Sequence, residues 1–279
     1  MSTRTLDFKD HRRELDDNRY VYAVVSRRAR GVSIGVNLNT DKLCNFDCPY
    51  CQVDRRTPGG PSEVDVPRLG QELEALLERV ASGHIWDEKP FDTVAPALRR
   101  LADVAFSGDG EPTTPPEFPA AAEAARGILD RRGLEIPLRL ITNATMFDRP
   151  RVRAALRLFD ELWCKLDAGT EEYFHLVDGT RLPFAKVLAN LGDVARERPI
   201  VIQSMLMRYA GGEPSEAEID AYVGRLRDIV ASGGCIDLVQ IYTVARQPSD
   251  RRCEPLPAHA LEAIAAKVRA SGLRADVFA

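Results

Sequence analysis

Apolar positions along this chain alternate between two rhythms. Short runs rich in Val, Ile and Leu are followed by longer stretches with apolar residues three and four apart. Residues 20–25 and 31–38 form two β-like runs, and Ser-Arg-Arg-Ala-Arg between them suits a hairpin turn. From residue 67 to 80, Leu69, Leu73, Leu76, Leu77 and Val80 mark one face of a helix. Residues 84–96 break the rhythm as an insertion with Trp86 and Phe91, a lid or a packed loop. A regular alternation follows. Strands are expected at 104–106, 137–142, 162–166, 200–207 and 236–244, and helices at 118–132, 150–159, 183–196, 215–230 and 257–270. Ser215 is a plausible cap, and residues 273–278 add an edge strand.

Strand–helix alternation at this spacing predicts parallel β with right-handed crossovers. With the strand before residue 44 there are six β/α units, too few for a closed eight-stranded barrel. No repeat or low-complexity linker divides the chain, so one domain is expected.

Composition narrows the class. Of 279 residues, 44% are hydrophobic and 29% charged, as in ordinary globular proteins. No apolar run reaches transmembrane length, and the first fifteen residues have no signal-peptide core. A cytoplasmic location with reduced thiols is expected. The net charge of −4 gives no global field for nucleic acid. Arg27, Arg28 and Arg30 form a short basic cluster, read first as a solvated turn.

Candidate chemistry concentrates in Cys44-Asn45-Phe46-Asp47-Cys48-Pro49-Tyr50-Cys51, which holds three of the six cysteines. Their spacing also describes a helix face, but Pro49, Asn45 and Asp47 favour a loop. Structural zinc wants four ligands in two close pairs, and no second pair exists. Three thiolates suit an iron–sulfur cluster with one iron left open.

This CxxxCxxC loop, with Tyr50 before its last cysteine, resembles the signature of the radical S-adenosylmethionine (SAM) superfamily. The run GVNLNTDKLCNFDCPYCQVDR is most similar to the wyosine-tRNA-synthase-like branch. The resemblance implies one 4Fe–4S cluster on Cys44, Cys48 and Cys51, whose open iron chelates SAM. It also implies reductive cleavage of SAM to a 5′-deoxyadenosyl radical, a protein reductant such as flavodoxin or ferredoxin, and an open (β/α)6 partial barrel. Residues 1–30 would be an arm and leading strand, and 31–279 the barrel with its C-terminal helix and tail.

In parallel β/α folds ligands gather where strands end. After residues 104–106 comes Ser107-Gly108-Asp109-Gly110-Glu111-Pro112-Thr113. Asp-Gly alone is a common turn pair. The glycines also let backbone approach a ligand, and Glu111 can accept a charge-assisted bond from an ammonium. Gly110-Glu111-Pro112 is similar to the family's SAM amino-group motif, with Asp109 where a small residue is usual. Asn143 ends the next strand and suits either a ribose hydroxyl or its own turn. Alternation puts Trp163, Lys165 and Asp167 on one face and Cys164 on the other. Lys165 and Asp167 either pair as structure or line the cavity as catalytic groups. Gln203 is a further SAM-contact candidate, with Gln240 and Tyr242 as cavity wall. Cys164, Cys235 and Cys253 are placed outside the cluster, and His11, His84, His175 and His259 form no ligand pattern.

The leading expectation is an enzyme that abstracts hydrogen from a substrate the sequence does not name: metabolite, peptide, protein or tRNA. The alternatives are an activating enzyme that places a radical on a partner protein, and an iron–sulfur carrier or sensor without SAM chemistry. No cysteine precedes Cys44, unlike the wyosine synthases, which use N-terminal cysteines for a second cluster.

Overall fold

The computed structural model describes residues 18–26 and 28–279. The arm expected over residues 1–19 falls outside these apart from Asn18 and Arg19, as do His11 and Arg27. The hairpin is present as β1 (Val21–Ser26) and β2 (Gly31–Val36), paired antiparallel. Then come α1 (Val66–Ala81), β3 (Leu101–Phe106), α2 (Phe118–Arg132), β4 (Leu138–Thr142) and α3 (Pro150–Ala155). The chain continues with β5 (Glu161–Lys165), α4 (Glu171–Asp178), α5 (Phe184–Glu197), β6 (Ile200–Met205) and β7 (Met207–Tyr209). It ends with α6 (Glu216–Ala231), β8 (Ile236–Tyr242), β9 (Cys253–Pro255), α7 (Ala258–Ala270) and β10 (Ala275–Phe278). The main sheet has the order β1-β2-β3-β4-β5-β6-β8-β10, while β7 and β9 form a separate ribbon. The β2–β3, β3–β4, β5–β6, β6–β8 and β8–β10 ladders are all parallel. No described helix is long and apolar enough to cross a membrane.

The chain packs as two compact units, each built from separate segments. The first holds Met1–Leu43, Pro58–Leu140 and Arg151–Asp160; the second holds Cys44–Thr57, Ile141–Pro150 and Glu161–Ala279.

In the first unit, α1 starts where the Asp65 side chain accepts the Arg68 N–H at 3.0 Å. Its predicted stripe, Leu69, Leu73, Leu76 and Leu77, is fully buried. Each such leucine contributes about 1.5–3 kcal/mol by leaving water. Phe106, Phe118 and Phe159 form an aromatic cluster with centroid distances of 5.2–6.2 Å. The 84–96 insertion is a packed loop: three short 3₁₀ turns bury Ile85, Phe91 and Val94.

In the second unit, Ser215 caps α6 as expected, accepting the Glu218 N–H at 3.1 Å. The buried Glu218 carboxylate accepts from the Gly169 N–H at 2.5 Å and the Thr170 hydroxyl at 2.6 Å. It thereby fixes the turn after β5. Helix α4 lies in a stretch to which the sequence reading assigned no element. The expected strand over 200–207 divides into β6 and β7. The Met205 N–H is taken by the Asp167 carboxylate at 2.8 Å rather than by a neighbouring strand.

Candidate functional site

The second unit holds all three clustered cysteines. They lie on a non-helical loop and are half-buried. Three segments distant in sequence hold that loop. At the end of α4, the Asp178 carbonyl accepts the Asp47 N–H at 3.2 Å, and the Thr180 hydroxyl donates to the Asn45 carbonyl at 3.3 Å. Gly179 has φ +58°, and a Cβ there would run into the Asp47 carbonyl. After β4, the Asn143 amide donates to Asn45 Oδ1 at 2.7 Å, while Asn45 Nδ2 donates to Thr145 Oγ1 at 2.6 Å. From the segment before β9, the Ser249 N–H reaches the Cys51 carbonyl at 2.8 Å and the Asp250 N–H reaches Pro49 at 3.1 Å. Phe46 packs edge-on against Phe174 of α4 at 5.6 Å.

Under this loop lies a charged cluster. Lys165, at the end of β5, is paired with Asp167 and lies 2.7 Å from Asp178. Its ammonium also sits 4.3 Å from the centre of the Tyr50 ring. The Tyr50 hydroxyl donates to Asp167, and the Cys48 thiol faces Asp178 Oδ1 at 3.8 Å. Burial alone would lower the Lys165 pKa, but Asp167 and Asp178 outweigh it and hold it well above the ordinary value. Burial pushes Asp178 up to about 7 against the pull of Lys165. Burial also raises the Cys48 thiol, with Lys165 opposing. One ammonium between two buried carboxyls keeps Lys165 charged, while burial raises both Asp167 and Asp178 against its pull.

The first unit holds the glycine-rich loop after β3. Asn37, just past β2, grips it: Asn37 Nδ2 donates to Asp109 at 2.7 Å, and Asn37 Oδ1 accepts the Asp109 N–H at 3.1 Å. A Cβ on Gly108 would collide with the Asn37 amide, and one on Gly110 with the Leu43 carbonyl, one residue before Cys44. These are the close approaches that only glycine permits. Glu111 is buried, and its Oε1 accepts from the Thr113 N–H at 3.1 Å and the Thr113 hydroxyl at 2.5 Å. Asp109 therefore fits the loop as the partner of Asn37.

The other expected residues are placed as follows. Asn143 is buried and holds its own turn, accepting the Thr145 N–H at 3.1 Å, besides bonding Asn45. Gln203 is buried opposite Lys165 in the β5–β6 register and donates to Gln240 at 2.8 Å. Lys165 and Asp167 pair with each other. Cys164 and Cys253 are buried and Cys235 is exposed. Asp178, Thr180, Thr145 and the tethering role of Asn45 escaped the sequence reading. Thr170 before two glutamates and Gly179 after Asp178 are cap signals that would have located α4.

The donor set suits an iron–sulfur cluster. Among the described residues no three His, Cys, Asp or Glu side chains converge as ligands of a single ion.

Parallel strands with intervening helices define an α/β partial barrel, and solved structures share it. A radical SAM methyltransferase from Sphaerobacter thermophilus matches 92% of this chain and 68% of its own at 16% identity, with a TM-score of 0.64. A TYW1 structure with a lysine–pyruvate adduct bound matches 92% of this chain and 85% of its own at 15% identity, with a TM-score of 0.60. The model of the Radical SAM superfamily matches residues 39–213, and the chain belongs to that superfamily. A UPF0026 protein of Methanocaldococcus jannaschii is 26% identical over 157 residues, 56% of this chain and 43% of that protein. A protein named GTPase Obg from Brachyspira hyodysenteriae is 24% identical over 247 residues, 87% of this chain and 32% of that protein. The chain thus spans less than half the length of these two curated relatives, 32% of one and 43% of the other.

Proposed function

We propose that the protein is a radical SAM enzyme acting on a substrate other than SAM itself. Cys44, Cys48 and Cys51 hold a 4Fe–4S cluster, and Glu111 and the Gly108–Gly110 backbone receive the amino group of SAM. When bound, the cluster supplies the electron that cleaves SAM to methionine and a 5′-deoxyadenosyl radical, which abstracts hydrogen from the substrate. Thr113 holds the Glu111 carboxylate in one orientation, and Asn37 holds the glycine turn open. Tyr50 and Asn143 bear on SAM mainly by fixing the cysteine loop, while Gln203, Lys165 and Asp167 form the polar floor at the ends of β5 and β6. Electrons come from a reductant protein such as flavodoxin or ferredoxin, in the cytoplasm.

The observation that carries this reading is three cysteines on one loop whose backbone and side chains are held by residues distant in sequence. Anaerobic reconstitution, followed by dithionite and SAM, tests it. Formation of 5′-deoxyadenosine and methionine is expected even without substrate, at a slow rate. A cluster that forms but leaves SAM intact would instead identify an iron–sulfur carrier or sensor.

A further inference from the structure

We propose that the end of α4, Asp178-Gly179-Thr180, is a mould that sets the cysteine loop before any cluster binds, and that Asp178 is the residue positioning the Cys48 sulfur. The proposal deepens the cluster reading and rests on it only for the loaded protein.

Residue identities at this helix end make little sense for a helix alone. A carboxylate at a helix C-terminus meets the negative end of the dipole. Burying it adds a desolvation cost. Asp178 is nonetheless 1% exposed. Its side chain faces outward from α4 to Lys165 at 2.7 Å and the Cys48 sulfur at 3.8 Å. The two following residues complete a continuous surface against the loop. Gly179 has the left-handed backbone that lets it lie flush on Asp47, and Thr180 bonds the Asn45 carbonyl at 3.3 Å. Together the three residues meet Asn45, Asp47 and Cys48. A local rule broken where several contacts converge on one loop marks a functional arrangement. Partners that orient a metal ligand from behind commonly set both its geometry and the electronics of the metal.

Three variants of the full chain test this. Cys48 borders an open depression of about 490 Å³, so a small alkylating reagent reaches it. In the metal-free protein, Gly179→Ala forces the loop off α4, and iodoacetamide labelling of Cys48 rises about tenfold or more, given the strain at a left-handed position. Thr180→Val deletes the hydroxyl that donates to Asn45 and accepts the Leu182 N–H at 3.2 Å, and labelling rises about two- to tenfold, as loss of its one bond to the loop implies. Asp178→Asn keeps the shape and leaves Lys165 paired with Asp167. Iron and sulfide content after reconstitution stays at the parent level, while the cluster's midpoint potential moves upward because a buried negative charge beside a ligand sulfur is gone. Parent-like Cys48 labelling in Thr180→Val overturns the mould, whether or not Gly179→Ala folds. An unshifted potential in Asp178→Asn reduces Asp178 to scaffold. A parent chain that takes up no iron sinks the cluster reading instead, and the metal-free labelling still decides the mould.

Discussion

The glycine-rich loop of the first unit and the cysteine loop of the second are held in opposite ways. The glycine loop is braced by itself and by the neighbouring strand's end: Glu111 bonds Thr113 two residues on, and Asn37 and Asn39 follow β2. The cysteine loop is braced by segments 98, 135 and 200 residues further along. Closing such long separations costs entropy that only the finished second unit offsets. A loop that carries its own bracing tolerates change elsewhere. A loop braced from afar reports on the integrity of everything that braces it.

The largest effect comes from breaking the cysteine loop's chemistry outright. Replacing Cys44, Cys48 and Cys51 together with Ala should take iron from about one cluster per chain to none. Iron analysis after anaerobic reconstitution reads this, and retained iron or bound zinc would end the central inference. Next comes the cation beneath that loop. Lys165→Met leaves two buried carboxyls without their ammonium and should cost about 3–5 kcal/mol by denaturant unfolding. Asp167→Asn leaves Lys165 its Asp178 partner and should cost clearly less, so equal costs would show that the two acids do not share the cation.

The glycine loop should respond in the other currency. Glu111→Ala should weaken SAM binding by about 1.5–3 kcal/mol, the worth of one charge-assisted bond, with iron content unchanged. An unaltered dissociation constant removes Glu111 from the SAM site. The smallest effect sharpens the contrast. A double-mutant cycle on Asn45→Ala and Asn143→Ala should give a coupling of about 0.5–1.5 kcal/mol in the stability of the metal-free protein. Zero coupling would mean that the turn after β4 does not brace the cysteine loop.

The same contrast explains what the sequence let us read. Elements with strong periodicity were legible: α1 from its leucines, α2 from its alanines, β8 from its apolar run. The glycine loop was legible because it directly follows an apolar strand run and its glycines have no alternative. The cysteines stood out as candidate donors from their spacing and from the resemblance of the motif around them. The bracing of their loop was not, because Asp178 belongs to a helix of eight residues with a single turn of apolar positions, Phe174 and Val177. Its meaning appears only once Lys165 lies 2.7 Å away. Asn143 shows the same limit. Its residue type allowed a ribose contact or a turn, and its amide is engaged by Thr145 and Asn45.

The long reach of that bracing also has a consequence during synthesis. Ser249 leaves the ribosome 200 residues after Pro49, the residue it anchors. At about 5–20 residues per second, the three thiols spend on the order of 10–40 s in a nascent chain without their last clamp. Cys44, Cys48 and Cys51 are then on a slack loop, open to oxidation and to any passing metal. The length of that interval is set by how far Ser249 lies along the chain.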